Sequence, residues 1–272
     1  MKIAIDPYIP EQILDYFEPI SGLKAAVHEK YLIYFNSETM VIVGYPIKGE
    51  YREEDLIKII NEYREKYVLG RIVVIAPSLP SSLRFEDVKV DEYYRLSLPI
   101  KPLSKRLRYM VSRAERDVTV DVSGDLKRDH IDLIRDFLKR ENVEEYMRYI
   151  CNRLDRYISR SKNVRIIDAY DRNGRLVGFD ILDLSSTKYS FYMFNFISRE
   201  SRYIPGVSDL LLYNLLKISQ EYGKVYVNMG LGIDEGVRRF KLKWGAESFL
   251  PYNYAVLKSE TFSELSGLFS KL

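Results

Sequence analysis

The spacing of apolar and polar positions in the first hundred residues predicts short strands around a single helix. Two apolar runs are separated by the polar residues 36–39, which predicts a β-hairpin. After it, apolar residues recur at helical spacing, and two further apolar runs follow. The predicted elements are, in order, two strands, a helix and two strands: Tyr31–Phe35, Met40–Tyr45, Glu53–Tyr67, Arg71–Ala76 and Tyr93–Leu98.

The pattern after residue 100 predicts helices first and then a sheet. A helix over Leu103–Arg116, a strand over Val118–Val122 and a long helical region from Asp125 to Ser161, broken near Asn142, come first. Three strands, a helix, a strand, a short helix and a strand follow, and an amphipathic helix over Thr261–Leu272 ends the chain. Their predicted bounds are Val164–Tyr170, Leu176–Leu184, Tyr189–Ile197, Val207–Tyr222, Val225–Met229, Gly236–Trp244 and Tyr252–Leu257.

Composition restricts the class of protein more than its partners. The 272 residues carry a formal charge of only +3, so any preference for nucleic acid or membrane must come from local clustering. One cysteine, Cys151, and two histidines exclude an intramolecular disulfide and make a zinc site of the usual kind untenable, so we predict no metal. Without a signal peptide or an apolar run long enough to span a membrane, we expect a cytoplasmic protein. Abundant Lys, Glu and Ile with few Gln is typical of a thermophile.

Two stretches resemble a known family. One is Tyr93–Pro99 followed by Lys105–Ala114, and the other runs from Gly206-Val207-Ser208-Asp209 through Asn228-Met229-Gly230-Leu231-Gly232 to Phe240-Lys241-Leu242-Lys243-Trp244-Gly245-Ala246. With the order of elements, they resemble the GNAT acyltransferase superfamily. The resemblance is closest to its tandem branch, which includes the Fem-type peptidyltransferases and the C-terminal domain of phosphatidylglycerol lysyltransferases.

This resemblance implies an α/β fold, of the mixed-sheet α+β kind, built from two tandem GNAT-like halves. We expect a degenerate N-terminal half over residues 1–100 and a C-terminal half over residues 101–272 that carries the active site. The implied activity is an N-acyltransferase: direct transfer of an acyl or aminoacyl group from a thioester or ester donor to a small-molecule or peptide amine. Acyl-CoA or acetyl-CoA is the favoured donor.

A helix start rich in small residues is the candidate phosphate site. Pro205, Gly206, Val207, Ser208 and Asp209 precede or open a helix, whose free amides and dipole suit a phosphate. An ordinary helix cap explains the same residues, and Asp209 would repel an anion. The segment also departs from the family's pyrophosphate loop, because only one glycine is present.

Further candidates come from polar residues in apolar surroundings. The catalytic candidates are Asn228 at a strand end, Asp180 as a general base and Tyr252 as an acid. Tyr252 is chosen because the final short helix lacks the tyrosine that serves as the acid in the family. Asp183 and Glu200 are the other candidate bases; Asp180 and Asp183 should point to opposite faces of their strand. Asn195 and Lys241 are candidate cofactor-binding residues, Lys241 because the resemblance implies a lysine there.

The most concentrated positively charged segment allows a donor other than acyl-CoA. Lys105, Arg106 and Arg108 lie on one predicted helix and could contact tRNA phosphates, although a basic helix is more often only a solvated surface. The first alternative is therefore an aminoacyl-tRNA-dependent transferase. The second is a GNAT-derived binding protein without catalysis, because the usual phosphate loop and helix tyrosine are both missing.

Overall fold

The structure is a computed structural model that describes residues 5–67, 69–140, 143–199 and 203–257. It forms two compact units, each assembled from separate parts of the chain. Unit 1 comprises Met1–Ile5, Leu23–Tyr93 and Phe249–Leu272, and unit 2 comprises Asp6–Gly22 and Tyr94–Ser248. This division by contacts is distinct from the expected halves, 1–100 and 101–272, which stay a prediction.

Unit 1 is a strand layer with one helix. Its strands lie in the order β1-β2-β3-β4-β11-β5, with β3 and β4 parallel and the β1–β2, β2–β3 and β4–β11 pairs antiparallel. The elements are β1 Lys24–His28, β2 Tyr31–Phe35, β3 Thr39–Val43, α2 Glu53–Lys66, β4 Arg71–Ala76, the first part of β5 Phe85–Ser97 and most of β11 Glu247–Leu257. The apolar side of α2 packs on alternate residues of β2, β3 and β4, which bury one side of this layer.

Unit 2 contains the last part of β5 and the strands not yet named, in the order β5-β10-β9-β8-β7-β6. The β6–β7, β7–β8 and β8–β9 pairs are antiparallel, and the β9–β10 pair is parallel. These strands are β6 Val118–Ser123, β7 Val164–Asp171, β8 Leu176–Asp183, β9 Tyr189–Ile197 and β10 Tyr226–Leu231. Because parallel and antiparallel pairs coexist, the predicted mixed α/β class is confirmed.

Helices cover both faces of the unit 2 strands. Helices α3, α7 and α8 share one core with the first face, whereas α1, α4, α5 and α6 share a second core with the other. Their bounds are α1 Leu14–Ser21, α3 Lys105–Glu115, α4 Arg128–Leu138, α5 Glu145–Cys151, α6 Leu154–Arg160, α7 Val207–Glu221 and α8 Glu235–Lys243. Both faces of β8 are therefore buried along its whole length, which explains its nearly continuous apolar sequence.

Several element predictions were wrong. The long region from Asp125 to Ser161 contains three helices, with a second break at residues 152–153 that the apolar pattern does not reveal. Helix α1, strand β1 and the first half of β5 were missed. The break predicted near Asn142 and the helix predicted over Thr261–Leu272 lie outside the described residues.

None of the described helices has the length and apolar character needed to cross a bilayer. Within the same residues, no three His, Cys, Asp or Glu side chains are grouped closely enough to hold a metal ion. The cytoplasmic location and the thermophile assignment stay predictions.

Candidate functional site

An opening between β9 and β10 is the central feature of unit 2. The two parallel strands pair over three positions, Tyr226 with Tyr189, Val227 with Ser190 and Asn228 with Phe191. Among the described residues no further pair follows, although β9 continues to Ile197 and β10 to Leu231. The strands therefore separate at their carboxyl ends.

A β-bulge lies on β9 at the start of this opening. Across β8, Ile181 pairs with Phe194 but Leu182 pairs with Tyr192, so Met193 is an extra residue without a partner opposite. A bulge locally disrupts the ladder and turns the backbone, so amide groups here can point away from β8. Backbone amides at such a site can polarise a carbonyl oxygen.

Asp180 and Asn195 meet directly beside the bulge, on the face that carries α7. Asn195 Nδ2 donates a hydrogen bond to Asp180 Oδ1 at 2.6 Å, and the two residues are opposite each other in the β8–β9 register. Asp180 is fully buried, and among the described residues no group lies within hydrogen-bonding distance of Oδ2. Burial raises the pKa of the Asp180 carboxyl well above its usual value, and the Asn195 hydrogen bond opposes this only in part.

Tyr192 is the first residue of β9 beyond the last pair with β10. Its side chain packs against the same core as α7. Burial, together with the nearby Asp180 and Asp209 carboxylates, raises the pKa of the Tyr192 phenol well above its usual value. The tyrosine is therefore a neutral hydroxyl over the whole physiological range.

The predicted phosphate site at the start of α7 is packed against α3. Gly206 has φ +91°, and a Cβ placed on it would lie 2.4 Å from the Met110 carbonyl oxygen and 3.4 Å from Ala114 Cβ. Gly206 and Val207 are buried, whereas Pro205 and Ser208 are partly exposed. The glycine is therefore needed for the close approach of α7 and α3.

Asp209 joins α7 to α8. Its Oδ1 accepts hydrogen bonds from Lys243 Nζ at 2.5 Å and from Trp244 Nε1 at 2.9 Å. The carboxylate is buried and its charge is balanced by the lysine. This gives Asp209 a structural role that explains an acidic residue in the first turn of the helix.

Asn228 and Lys241 hold the end of β10 in place. Asn228 Nδ2 donates to the Tyr8 carbonyl at 2.8 Å, and Asn228 Oδ1 accepts from the Gly230 amide at 2.7 Å. Lys241 is buried, donates to the Leu231 carbonyl and lies 5.8 Å from the Tyr94 ring centre. The neighbours of Asn228 on β10 face the α7 core, so Asn228 points to the opposite face from Asp180.

Tyr252, Asp183 and Glu200 are the remaining predicted residues. Tyr252 belongs to unit 1, where its ring meets Tyr93 edge-on at 5.4 Å. Asp183 points to the opposite face of β8 from Asp180, as expected, and accepts from the Tyr157 hydroxyl at 2.7 Å. Glu200 lies outside the described residues. Within unit 2, the structure thus brings Asp180 and Asn195 together, whereas Asn228 lies on the opposite face of the strands.

A second buried polar group on the α4 side has a structural explanation. His130 Nδ1 accepts from the Lys127 amide at 2.8 Å, so Nε2 carries the proton and donates to Asp168 Oδ1 at 2.7 Å. Both side chains are fully buried, and Ser123 donates to the other Asp168 oxygen at 3.0 Å. The group ties α4 to β7.

Comparison with solved structures identifies the architecture. The chain is similar to a conserved protein of unknown function from Bacteroides thetaiotaomicron (TM-score 0.64, 16% identity, 93% of each chain). It is also similar to L-PGS from Bacillus licheniformis (TM-score 0.59, 16% identity, 99% of this chain and 97% of that one). A tandem GNAT protein from the clavulanic acid biosynthesis pathway matches with a TM-score of 0.52 and 12% identity, over 84% of this chain and 78% of that one. The chain has the tandem GNAT fold.

The predicted GNAT resemblance, including its tandem branch, is therefore confirmed at the level of fold. No protein-family model matches the sequence, and the search of curated proteins finds no match. The GNAT fold typically binds acyl-CoA. At the start of α7, a Cβ on Gly206 would meet the Met110 carbonyl of α3, so helix packing accounts for this glycine.

Proposed function

We propose that unit 2 transfers an acyl or aminoacyl group directly from an ester or thioester donor to an amine acceptor, at the opening between β9 and β10. The observation that carries this proposal is the fully buried Asp180 carboxyl beside the opening, with one oxygen that no described group satisfies. Such an oxygen costs free energy in the folded protein, so a bound group that satisfies it would offset that cost.

The chemistry of the group suits a general base. An alkyl amine is protonated near neutral pH and must lose a proton before it attacks a carbonyl. A carboxylate whose pKa is raised accepts that proton more readily than an ordinary one. Asn195 would hold Asp180 in position, and the amides at the Met193 bulge would polarise the carbonyl of the donor. Holding the donor and the amine together in the right geometry would further raise the rate of transfer.

We propose direct transfer, without a covalent enzyme intermediate, because the environment of Cys151 does not suit a nucleophile. Cys151 lies in the core on the opposite face from Asp180, and burial raises its pKa to about 12. It is therefore a buried thiol and not an activated nucleophile. We propose positioning roles for Asn228 and Lys241, which fix the end of β10.

The test uses two acceptors that differ in charge, with donors that include acetyl-CoA and amino acid esters. Asp180→Asn should lower transfer to an alkyl amine by about 100-fold or more, because the amine stays protonated. Transfer to hydroxylamine, which is already uncharged near neutral pH, should change far less. Equal losses with both acceptors would contradict the base role, and no transfer by the wild-type protein from any donor would refute the function itself.

A control carboxyl is available on the same strand. Asp183 is also buried but faces α6, so Asp183→Asn should lower stability while the folded variant keeps its ratio of amine to hydroxylamine transfer. If this variant also changes the ratio of amine to hydroxylamine transfer, the effect of Asp180→Asn is a general disturbance of β8 and not the loss of a base.

An aminoacyl ester is the alternative to acyl-CoA, the donor favoured by the family resemblance. Packing against α3 accounts for Gly206, so this glycine is not by itself support for a pyrophosphate-binding loop. Helix α3 also exposes Lys105, Arg106 and Arg108. We therefore propose an aminoacyl-tRNA donor as the second candidate, with these three cations contacting its phosphates.

Charge reversal separates the two donors. Replacing Lys105, Arg106 and Arg108 by Glu should abolish transfer from aminoacyl-tRNA and leave transfer from small esters within a few-fold. If the triple variant keeps tRNA-dependent transfer, this surface is not the tRNA site. If the wild-type protein transfers the acetyl group of acetyl-CoA, and the triple variant does so at an unchanged rate, the donor is acyl-CoA.

A further inference from the structure

Helix α3 carries a stripe of positive charge around one tyrosine, called here the basic stripe. Residues three or four positions apart lie on the same side of a helix, and four exposed residues of α3 and its C-cap follow that spacing. They are Lys105, Tyr109, Arg113 and Arg116. The buried residues of the helix, Leu107, Val111 and Ala114, lie on the opposite side and belong to the unit 2 core. The core therefore holds α3 with the basic stripe turned to solvent.

The cations of the basic stripe are not neutralised by neighbouring acids. Within the residues that the structure describes, none of its three cations forms an ion pair. Asp117, the acid that follows the helix, pairs instead with Arg172 at 3.0 Å. Helix α3 itself contains four cations and a single acid, Glu115. Such an excess of positive charge on one surface attracts polyanions.

Tyr109, near the centre of the basic stripe, has an uncovered ring. Its side chain is 58% exposed, and in the described chain no other ring or cation lies over it. Exposed tyrosines elsewhere in unit 2 are covered by cations. Arg153 lies 3.5 Å from the ring centre of Tyr149. Arg165 lies 5.6 Å from the ring centre of Tyr222. A free aromatic face between cations is suited to stack an unpaired base of a nucleic acid.

Helix α3 lies beside the end of β9 at which β9 and β10 separate. A Cβ on Gly206, directly before α7, would lie 2.4 Å from the carbonyl oxygen of Met110 in α3. The next residue, Val207, lies 3.3 Å from the position of a Cβ on Gly178, which pairs with Ile197 at the carboxyl end of β9. Two consecutive residues at the start of α7 therefore connect α3 to the end of β9.

We propose that the basic stripe binds an unpaired segment of nucleic acid, with one base stacked on Tyr109 and the adjacent phosphates held by Lys105 and Arg113. These two cations lie about 6 Å along the helix axis on either side of the tyrosine. The inference rests on the proposed aminoacyl-tRNA donor, and it states how that donor is held. The aminoacyl ester of a tRNA is carried on an unpaired end, so an unpaired segment must approach the site of transfer.

Two observations favour an unpaired strand over other polyanions. The bases of a duplex are stacked on one another, so a duplex offers phosphates to the cations but no free base to Tyr109. A membrane surface also attracts cations, but the apolar side of α3 is buried in the unit 2 core and cannot insert between lipids. The uncovered tyrosine is therefore explained by a single strand and by neither alternative.

Fluorescence anisotropy with the full chain measures this binding. The probes are a labelled RNA of mixed sequence and about ten nucleotides, and the same strand annealed to its complement. Vesicles of phosphatidylcholine and anionic phosphatidylglycerol test the membrane alternative by cosedimentation. The single strand should bind at least about tenfold more tightly than the duplex, because stacking adds to the charge interaction. Equal affinity for strand and duplex, or binding to the vesicles alone, would overturn the proposal.

Variants separate the aromatic contact from the charge contact. Tyr109→Ala should weaken binding of the single strand by about tenfold without changing its salt dependence, whereas Tyr109→Trp should keep the affinity. Lys105→Gln should instead lower the slope of log affinity against log salt concentration by about 0.7, the value for one phosphate contact on a single strand. Both positions are exposed, so these variants should fold. Wild-type affinity in Tyr109→Ala would show that no base stacks on the tyrosine.

Tyr222 provides a matched control. It is a tyrosine of unit 2 with a similar exposure, 51%, but its ring is covered by Arg165. Tyr222→Ala should leave the affinity for the single strand unchanged. Equal losses in Tyr222→Ala and Tyr109→Ala would mean that RNA contacts exposed tyrosines without a specific surface, and the proposal would be wrong.

Binding and transfer can fail independently in this design. If the single strand binds as predicted but no donor is turned over, the inference stands and the proposed function is wrong. If small esters are turned over but the single strand does not bind, the transfer stands and the basic stripe is not a nucleic-acid surface.

Discussion

Asp180 should make the folded protein less stable as the pH rises. Its ordinary pKa is 3.8, and burial raises the pKa in the folded chain well above this value. Between the two values the folded chain holds a proton that the unfolded chain has lost. In that window the free energy of unfolding falls by about 1.4 kcal/mol for each pH unit, and it levels off above the folded pKa.

Replacing Asp180 by Asn removes this dependence, because an amide of nearly the same shape cannot ionise. Wild type and variant should have similar stabilities below the unfolded pKa. Above it the variant should become the more stable protein, and the difference should grow by about 1.4 kcal/mol per pH unit until the folded pKa is reached. Urea denaturation at intervals from pH 4 to pH 8 measures both curves.

Asp183 provides the comparison. Burial raises its pKa too, but the Tyr157 hydroxyl and the Ser185 amide both donate to it. Asp183→Asn places an amide where these donors need an acceptor, so it should lower stability throughout this pH range. The reasoning about Asp180 is refuted if the unfolding free energies of wild type and Asp180→Asn run parallel from pH 4 to pH 8.

Two further predictions concern packing and buried hydrogen bonds. Gly206→Ala should cost roughly 2–5 kcal/mol, because the added methyl meets the backbone of α3 and φ is +91°. Gly223→Ala, at φ +69° with open space around it, should cost only about 1–2 kcal/mol; equal losses in urea denaturation would contradict the close approach of α3. Asp168→Ala should cost about 3 kcal/mol, because the Nε2–H of His130 loses its acceptor; a loss below 1 kcal/mol would show that this buried pair is dispensable.

Local patterns predicted the elements whose apolar residues form an uninterrupted run or repeat at helical spacing. The β2–β3 hairpin and β9 were found close to their predicted bounds because each strand is an apolar run bounded by polar residues, and α7 because its apolar residues recur at helical spacing. The first half of β5 was missed because its residues are mostly exposed and charged, so no buried face repeats along it. Helix α1 was missed because it is short and contains Pro19.

The candidate site was only partly visible in the sequence. Asp180 and Asn195 could be selected as polar residues on apolar strands, but their contact depends on a register that the Met193 bulge shifts. Asp209 was recognised as an acid at a helix start, whereas its partners Lys243 and Trp244 lie more than thirty residues away.

The division of unit 1 between distant parts of the chain has a consequence for biosynthesis. Strand β4 pairs with β3 on one side and with β11 on the other, and residues 253–257 of β11 supply that second side. A ribosome makes these residues more than 170 positions after β4, so the nascent chain carries an open, strongly apolar strand edge through most of its synthesis. Such an edge can pair with other chains, so this protein should depend on chaperones during translation more than its stability once folded would suggest.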